Sequence, residues 1–132
     1  MKLWVLDTNV VLSGLMTPDG ICGQVLKAVK SGNLKMAYDI RILAEYRDVL
    51  SRPHFCVSPQ KIANFLSDLR NQKLIAPTRR LTMGPDPADL MFIEVALETP
   101  QKTIITGNLK DFPRAIRHGV RVLTPAQAVQ EL

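Results

Sequence analysis

Acidic residues at the ends of predicted elements are the clearest chemical feature of this sequence. Asp7 follows the first apolar run of the chain, Asp89 stands near the start of a later apolar segment, and Asp111 follows a β-branched run. Glu45 falls inside a segment with helical periodicity. Any one of these residues alone could be a helix cap or a solvated side chain, because caps strongly favour Asp. Their combination is what indicates a functional site.

A group of converging carboxylates requires a cation or protons. Two unit charges about 4 Å apart repel by about 4 kcal/mol at an effective dielectric constant of about 20, so several carboxylates at one place cannot all stay ionised alone. Oxygen ligands without His or Cys favour Mg²⁺ or Mn²⁺ over Zn²⁺, and His54 and His118 lack the spacing of metal ligands. One or two such ions bind phosphate oxygens and activate water. The acids therefore indicate hydrolysis of a phosphodiester.

Short strands alternate with helices along the chain. Strands are predicted at 3–6, 34–38, 103–106 and 121–123, and helices are predicted to begin at Ile21, after Asp39, after Ser58, after Asp86 and at Pro125. Asp7, Thr8 and Asn9 are predicted to form a turn. The alternation indicates an α/β fold with right-handed crossovers, a mostly parallel sheet and helices on both faces. Ligands bind beyond the carboxyl ends of the strands in such folds, so Asp7 and the segment 106–111 are expected to meet.

Composition limits the class of protein. The 132 residues suit one domain, 1–132, and 46% hydrophobic with 22% charged residues excludes a disordered or fibrous chain. A net charge of +5 favours polyanionic partners such as nucleic acid. Cys22 and Cys56 are expected to be free thiols, and the N-terminal apolar run is too short for a signal peptide or a membrane span. These features predict a cytoplasmic protein.

Four segments, in order, carry a resemblance to a known family. They are LDTNV at 6–10, EYRDVL at 45–50, DPAD at 86–89 and TGNLKDFP at 106–113. Together they resemble the PIN domain family, and most closely the bacterial PIN proteins that are toxin components of toxin–antitoxin pairs. The resemblance implies a single three-layer α/β domain with a central, mostly parallel sheet flanked by helices. It also implies a Mg²⁺- or Mn²⁺-dependent endoribonuclease, with RNA as substrate, a cognate antitoxin as partner and pairing of two copies of the chain.

The family's acid positions fall here on Asp7, Glu45 and Asp89, with a final acid near the Thr-Gly motif. Many relatives have Asp at the position of Asn108, so Asp111 is assigned as the fourth catalytic and metal-binding acid. The remaining polar residues of the motifs are assigned auxiliary roles: Asn9, Asp86, Thr106 and Asn108.

Arginines near the acids are the candidates for holding the RNA backbone. Arg114 and Arg117 follow the predicted metal loop and are assigned to phosphate binding. The other arginines are dispersed, and most are expected to be solvated. With 5% aromatic residues, base stacking on the protein is weakly supported.

Two other functions compete with this one. A haloacid-dehalogenase-type phosphatase also places Asp after its first strand, but it needs Asp-x-Asp where this chain has Asp7, Thr8 and Asn9. A catalytically impaired PIN-fold module that binds nucleic acid or protein is the alternative, and Asn108 in place of an acid is its support. Mn²⁺-dependent cleavage of RNA separates the three.

Overall fold

The computed structural model of the chain describes residues 1–82 and 86–132, and the side chain of Pro87 lies outside this description. The strands are β1 (Lys2–Leu6), β2 (Leu34–Tyr38), β3 (Lys73–Leu74), β4 (Thr103–Ile105) and β5 (Arg121–Leu123). The helices are α1 (Thr8–Met16), α2 (Ile21–Ser31), α3 (Ile40–Leu50), α4 (Pro59–Asp68), α5 (Pro87–Leu97) and α6 (Pro125–Glu131). Short 3₁₀ turns lie at Pro53–Phe55, Leu69–Asn71, Leu109–Asp111 and Arg114–Ile116.

The strands form one parallel sheet in the order β3-β2-β1-β4-β5. Trp4 of β1 is paired with Met36 of β2, and Val5 is paired with Ile104 of β4. The chain runs outward from β1 to β3 and then returns to place β4 on the other side of β1. The order of strands therefore reverses between β1 and β4. Beyond their carboxyl ends lies the place where open α/β sheets bind ligands.

The hydrophobic core lies along the central strands and helix α5. Trp4 and Ile104 are fully buried, and α5 buries consecutive residues over 90–96 and contacts β1, β2 and β4. Phe92 of α5 packs edge-to-face on Phe112, with ring centroids 6.4 Å apart. A helix that is apolar on nearly every side is typical of an element enclosed by the fold. Its N-terminus, which carries Asp89, is thereby fixed at the carboxyl edge of the sheet.

The structure confirms the α/β class, the four predicted strands and the five predicted helix starts. The prediction of a turn at residues 7–9 is wrong, because α1 begins at Thr8 with Asp7 as its N-cap. The segment was misinterpreted because its polar start matches a turn, whereas the helix buries Val10 and Val11 in the core. Strand β3 was not predicted, since two exposed edge residues carry no periodicity.

The remaining predictions concern isolated side chains. Cys22 and Cys56 are free thiols, the first buried and the second exposed. His54 and His118 are both exposed. Within the two described ranges, no helix has the length and apolarity needed to span a bilayer.

Candidate active site

Asp7 is held at the switch point between β1 and β4. It is 6% exposed, and its Oδ1 accepts a hydrogen bond of 2.8 Å from the backbone N–H of Thr8 at the start of α1. Its Oδ2 accepts from the Thr106 hydroxyl at 2.7 Å and from the Asn9 amide at 3.0 Å. The Asn9 Oδ1 in turn accepts from the backbone N–H of Gly107 at 2.9 Å. Asn9 and Thr106 thus fix one carboxylate from two separate elements.

Glu45 reaches the same edge from helix α3. Asp39 caps this helix, because its Oδ1 accepts from the backbone N–H of Ile42 at 2.9 Å. The next residue after Glu45, Tyr46, is fully buried and donates its hydroxyl to the carbonyl of Leu6 at the end of β1. The Thr8 hydroxyl donates to Oε2 of Glu45. Thr8 therefore links two of the predicted acids, because its backbone N–H donates to Asp7 and its hydroxyl donates to Glu45.

Asp89 and Asp111 come from α5 and from the turn after β4. Asp86 caps α5 by accepting a hydrogen bond of 2.9 Å from the backbone N–H of Ala88, which places Asp89 in the first turn. The Asn108 amide donates to Oδ1 of Asp111 at 3.1 Å, and its Oδ1 accepts from the N–H of Lys110 at 3.3 Å. Asn108 therefore supports Asp111.

The acids are close enough to change one another's protonation. The pKa of Asp7 is raised to about 6, mainly by burial and to a smaller extent by the charges of Asp111 and Glu45, against the lowering effect of the bonds from Thr106 and the Thr8 N–H. The pKa of Asp89 is also raised to about 6, first by burial and then by the charges of Asp111, Asp86, Asp7 and Glu45. The structure thus brings the four predicted acids and Asp86 to one edge of the sheet.

The arrangement matches a family of known proteins. A family model described as PIN domain matches residues 4–110. The chain belongs to the PIN domain family. PIN domains are in general nucleases that use divalent metal ions. The match includes Asp7, Glu45, Asp89 and Asn108, and Asp111 lies one residue beyond it. Comparison with curated proteins gives no match.

The donor set of this PIN domain suits a hard cation. In the two ranges that the structure describes, no three Asp, Glu, His or Cys side chains are gathered closely enough to form a ready-made cage. Mg²⁺ does not need one, because it keeps several waters and takes only one or two protein carboxylates. Carboxylates with a pKa raised by burial and mutual repulsion gain the most from a neighbouring positive charge. Asp7, Glu45, Asp89 and Asp111 could together hold such an ion.

The two arginines assigned to phosphate binding differ in their exposure and contacts. Arg114 is exposed at the start of a 3₁₀ turn. Arg117 is half-buried, and its Nε donates a hydrogen bond of 2.7 Å to the carbonyl of Phe112. Arg114 is therefore free to meet a phosphate, whereas Arg117 also supports the loop after Asp111.

Sequence patterns missed several residues that shape this edge. Thr8 was placed in a turn, and only the contact between α1 and α3 reveals that it serves Glu45. Arg41 was grouped with the solvated arginines, yet it contacts the buried Asp39 and Glu94. The available sequence signal for Glu94 was its position within the apolar run 90–97, because a charge enclosed among apolar residues requires a partner.

Proposed function

We propose that this PIN domain is a Mg²⁺- or Mn²⁺-dependent endoribonuclease that hydrolyses phosphodiester bonds of RNA. The observation that carries the proposal is the convergence of four acids at the switch point, where burial first and the charges of neighbouring acids second raise the pKa of Asp7 and Asp89 to about 6. Near neutral pH these groups are ionised but repelled by one another. Such a cluster favours the binding of a cation, and a bound cation in turn attracts the phosphate of a substrate.

The chain's own residues divide the work at this edge. Asp7 and Glu45 are oriented by the hydroxyls of Thr106 and Thr8, so their oxygens keep fixed directions. Asp89 and Asp111 complete the negative cluster from α5 and the turn after β4. When bound, Mg²⁺ or Mn²⁺ supplies charge stabilisation at phosphate oxygens and lowers the pKa of a coordinated water. Exposed Arg114 contributes to holding the backbone of RNA beside the acids.

The decisive experiment measures cleavage of single-stranded RNA by the purified protein under single-turnover conditions. We expect Mn²⁺ to support cleavage, EDTA to abolish it, and Asp7→Asn to lower the rate by at least about 10³-fold, since it removes charge from the centre of the cluster. Asp48→Asn is the matched control, because Asp48 is an exposed acid of α3 that pairs with Arg52.

Two outcomes would contradict the proposal. Cleavage that survives both EDTA and Asp7→Asn would remove the metal mechanism. Binding of RNA without any cleavage in Mg²⁺ or Mn²⁺ would favour the alternative function, a catalytically impaired PIN-fold module in which Asn108 replaces an acid.

We also propose that the enzyme is a cytoplasmic toxin restrained by a cognate antitoxin. A groove of about 490 Å³ lies between α2 and α4, with apolar side chains such as Leu26, Val29 and Phe65 in its walls. Its lining includes four lysines and a single acid, Asp68; the lysines are Lys27, Lys30, Lys35 and Lys61. An apolar groove with a basic rim fits an acidic amphipathic segment of a partner.

A binding experiment checks this part independently of catalysis. We expect a cognate antitoxin to bind this chain, and to bind it more weakly when Lys27 and Lys30 of this chain are both changed to Glu. Substitution of Lys2 and Lys110, two cations outside the groove lining, with Glu is the control of equal charge. If both double variants bind the antitoxin with the same affinity, the antitoxin does not bind at this groove. Pairing of two copies of the chain stays a prediction, which light scattering at several protein concentrations checks.

A further inference from the structure

An ion network joins α3 to α5 behind the acidic cluster. Arg41 of α3 places Nη2 2.7 Å from Oδ2 of Asp39 and Nη1 2.7 Å from Oε1 of Glu94 in α5. Its Nε also donates to Oδ2 of Asp39 at 2.8 Å. Asp39 is 3% exposed and Glu94 is 2% exposed, so both carboxylates are withdrawn from water. Burial lowers the pKa of Arg41, but the contacts with these two acids outweigh that effect and raise it.

Glu94 also holds the chain segment that leads toward α5. Its Oε2 accepts a hydrogen bond of 2.6 Å from the backbone N–H of Leu81, and Arg80 lies 3.6 Å from its Oε1. One buried carboxylate therefore touches α3 through Arg41 and the segment before α5 through Leu81. The three parts meet through a single side chain.

This network is a poor source of stability for its cost. Two buried carboxylates lose their hydration, and a buried ion pair is often no more stabilising than apolar residues of the same volume. Helix α5 is otherwise apolar between Leu90 and Leu97, so an aliphatic side chain at position 94 would suit its surroundings. What the guanidinium of Arg41 provides is a forked link of fixed spacing between α3 and α5: its Nε donates a hydrogen bond to Asp39, and its Nη1 lies 2.7 Å from Oε1 of Glu94 as an ion pair without hydrogen-bond alignment.

The positions of these residues relate that geometry to the acidic cluster. Arg41 precedes Glu45 by four residues, which is one turn of α3. Glu94 follows Asp89 by five residues on α5. Helices are rigid over such lengths, so the contact between Arg41 and Glu94 constrains how far apart Glu45 and Asp89 lie. We propose that Arg41 and Glu94 are positioning residues that set this separation for cation binding, an inference that rests on the proposed function.

The test compares two double variants that leave net charge unchanged. Arg41→Met with Glu94→Gln removes the link between α3 and α5, and Gln keeps an oxygen for the Leu81 N–H. Asp39 keeps its hydrogen bond from the Ile42 N–H but loses its cation, so Glu94→Gln alone, which leaves the contact between Arg41 and Asp39 in place, is measured beside it. Arg121→Met with Glu131→Gln removes an exposed ion pair, in which Arg121 Nη1 lies 2.8 Å from Glu131 Oε2. Both are titrated with Mn²⁺ by electron paramagnetic resonance, and their melting temperatures are measured in EDTA.

We expect the network variant to bind Mn²⁺ about tenfold more weakly, the lower end of the effect seen for residues that orient metal ligands. The Arg121 variant should keep the wild-type affinity. Glu94→Gln alone provides a second measurement if the double variant melts early, and it should weaken Mn²⁺ binding in the same direction. Arg41→Lys should recover only part of the affinity, because one ammonium cannot reproduce the fork.

The outcomes separate this inference from the proposed function. Wild-type affinity in both Arg41 and Glu94 variants overturns the positioning role, while the nuclease proposal stands. Weakened Mn²⁺ binding in a protein that cleaves no RNA supports the positioning role and overturns the nuclease proposal. Absence of Mn²⁺ binding by the wild-type protein overturns both.

Discussion

Asp7 and Asp89 both stand at the start of a helix and both have a pKa raised to about 6, but their surroundings differ. Asp7 is buried and accepts three hydrogen bonds, from the Thr8 N–H, Thr106 and Asn9. Asp89 is half-buried, and its carboxylate accepts no hydrogen bond from the residues that the structure describes. After burial, the charges of neighbouring acids are what raise its pKa.

The difference separates a fixed side of the cluster from an adjustable one. Asp7 and Glu45 keep their orientation through the hydroxyls of Thr106 and Thr8, so they can direct a cation without reorganisation. Asp89 is restrained mainly by its helix, and a cation would relieve the repulsion that it experiences. The fixed side would therefore set the direction of a bound cation, and Asp89 would adjust to it.

The largest expected effect is on the pH dependence of stability in EDTA. A carboxyl whose pKa is raised on folding stabilises the protein below its unfolded pKa of 3.8, and that contribution is lost as pH rises through about 6. For buried Asp7 this loss is on the order of 3 kcal/mol, from 1.36 kcal/mol per pKa unit. The free energy of unfolding, measured with urea between pH 4 and pH 7.5, should therefore vary less with pH in Asp7→Asn than in the wild type. Asp89→Asn should show a smaller change in the same direction.

Asp89→Asn should also raise the melting temperature in EDTA at pH 7, because it removes repulsion without breaking a described hydrogen bond, and it should weaken stabilisation by Mn²⁺. Asp19→Asn is the control, since Asp19 is fully exposed beside Lys27. Identical pH profiles for wild type and both site variants would mean that the carboxylates do not interact.

A smaller effect is expected from Thr106→Val, which tests the fixed side alone. The Thr106 hydroxyl lowers the pKa of Asp7, so its loss should raise that pKa and move the acid limb of the cleavage profile to higher pH. At pH 7 the rate should fall about tenfold, roughly the value of one hydrogen bond to a charged group.

Thr106→Ser should restore both the rate and the profile. Thr103→Val is the matched control, because Thr103 is a buried threonine at the start of β4 whose hydroxyl donates to the Gln101 carbonyl and accepts from Arg121 Nε. A lower rate with an unshifted acid limb would indicate that Thr106 only supports the fold.

The smallest effects are expected at the two arginines beyond the cluster. Arg114→Ala should weaken RNA binding and leave the melting temperature unchanged. It should also reduce the slope of the logarithm of the RNA binding constant against the logarithm of salt concentration by about 0.7. Arg117→Ala should in addition lower the melting temperature, since it loses the bond to the Phe112 carbonyl. Salt-titrated binding and thermal melts on both single variants distinguish them. Unchanged affinity in both would move the RNA path elsewhere.

The sequence by itself located most of the described strands and helices and the candidate acids. Apolar periodicity located β1, β2, β4 and β5, and the caps Asp39, Ser58 and Asp86 marked where helices begin. Both signals are local, because a period or a cap is complete within a few residues. The rule that ligands bind beyond the carboxyl ends of parallel strands then sufficed to place Asp7 beside Thr106.

Only the tertiary structure decided which side chains support those acids. Helix α1 replaces the predicted turn because Val10 and Val11 are buried in the core, and the contact of α1 with α3 brings Thr8 to Glu45. The contact between Arg41 and Glu94 joins residues 53 positions apart, and the side chain of Arg117 closes a loop by donating a hydrogen bond to the backbone carbonyl of Phe112. Such contacts depend on how helices are packed against one another, and no local pattern of residue types records that distance.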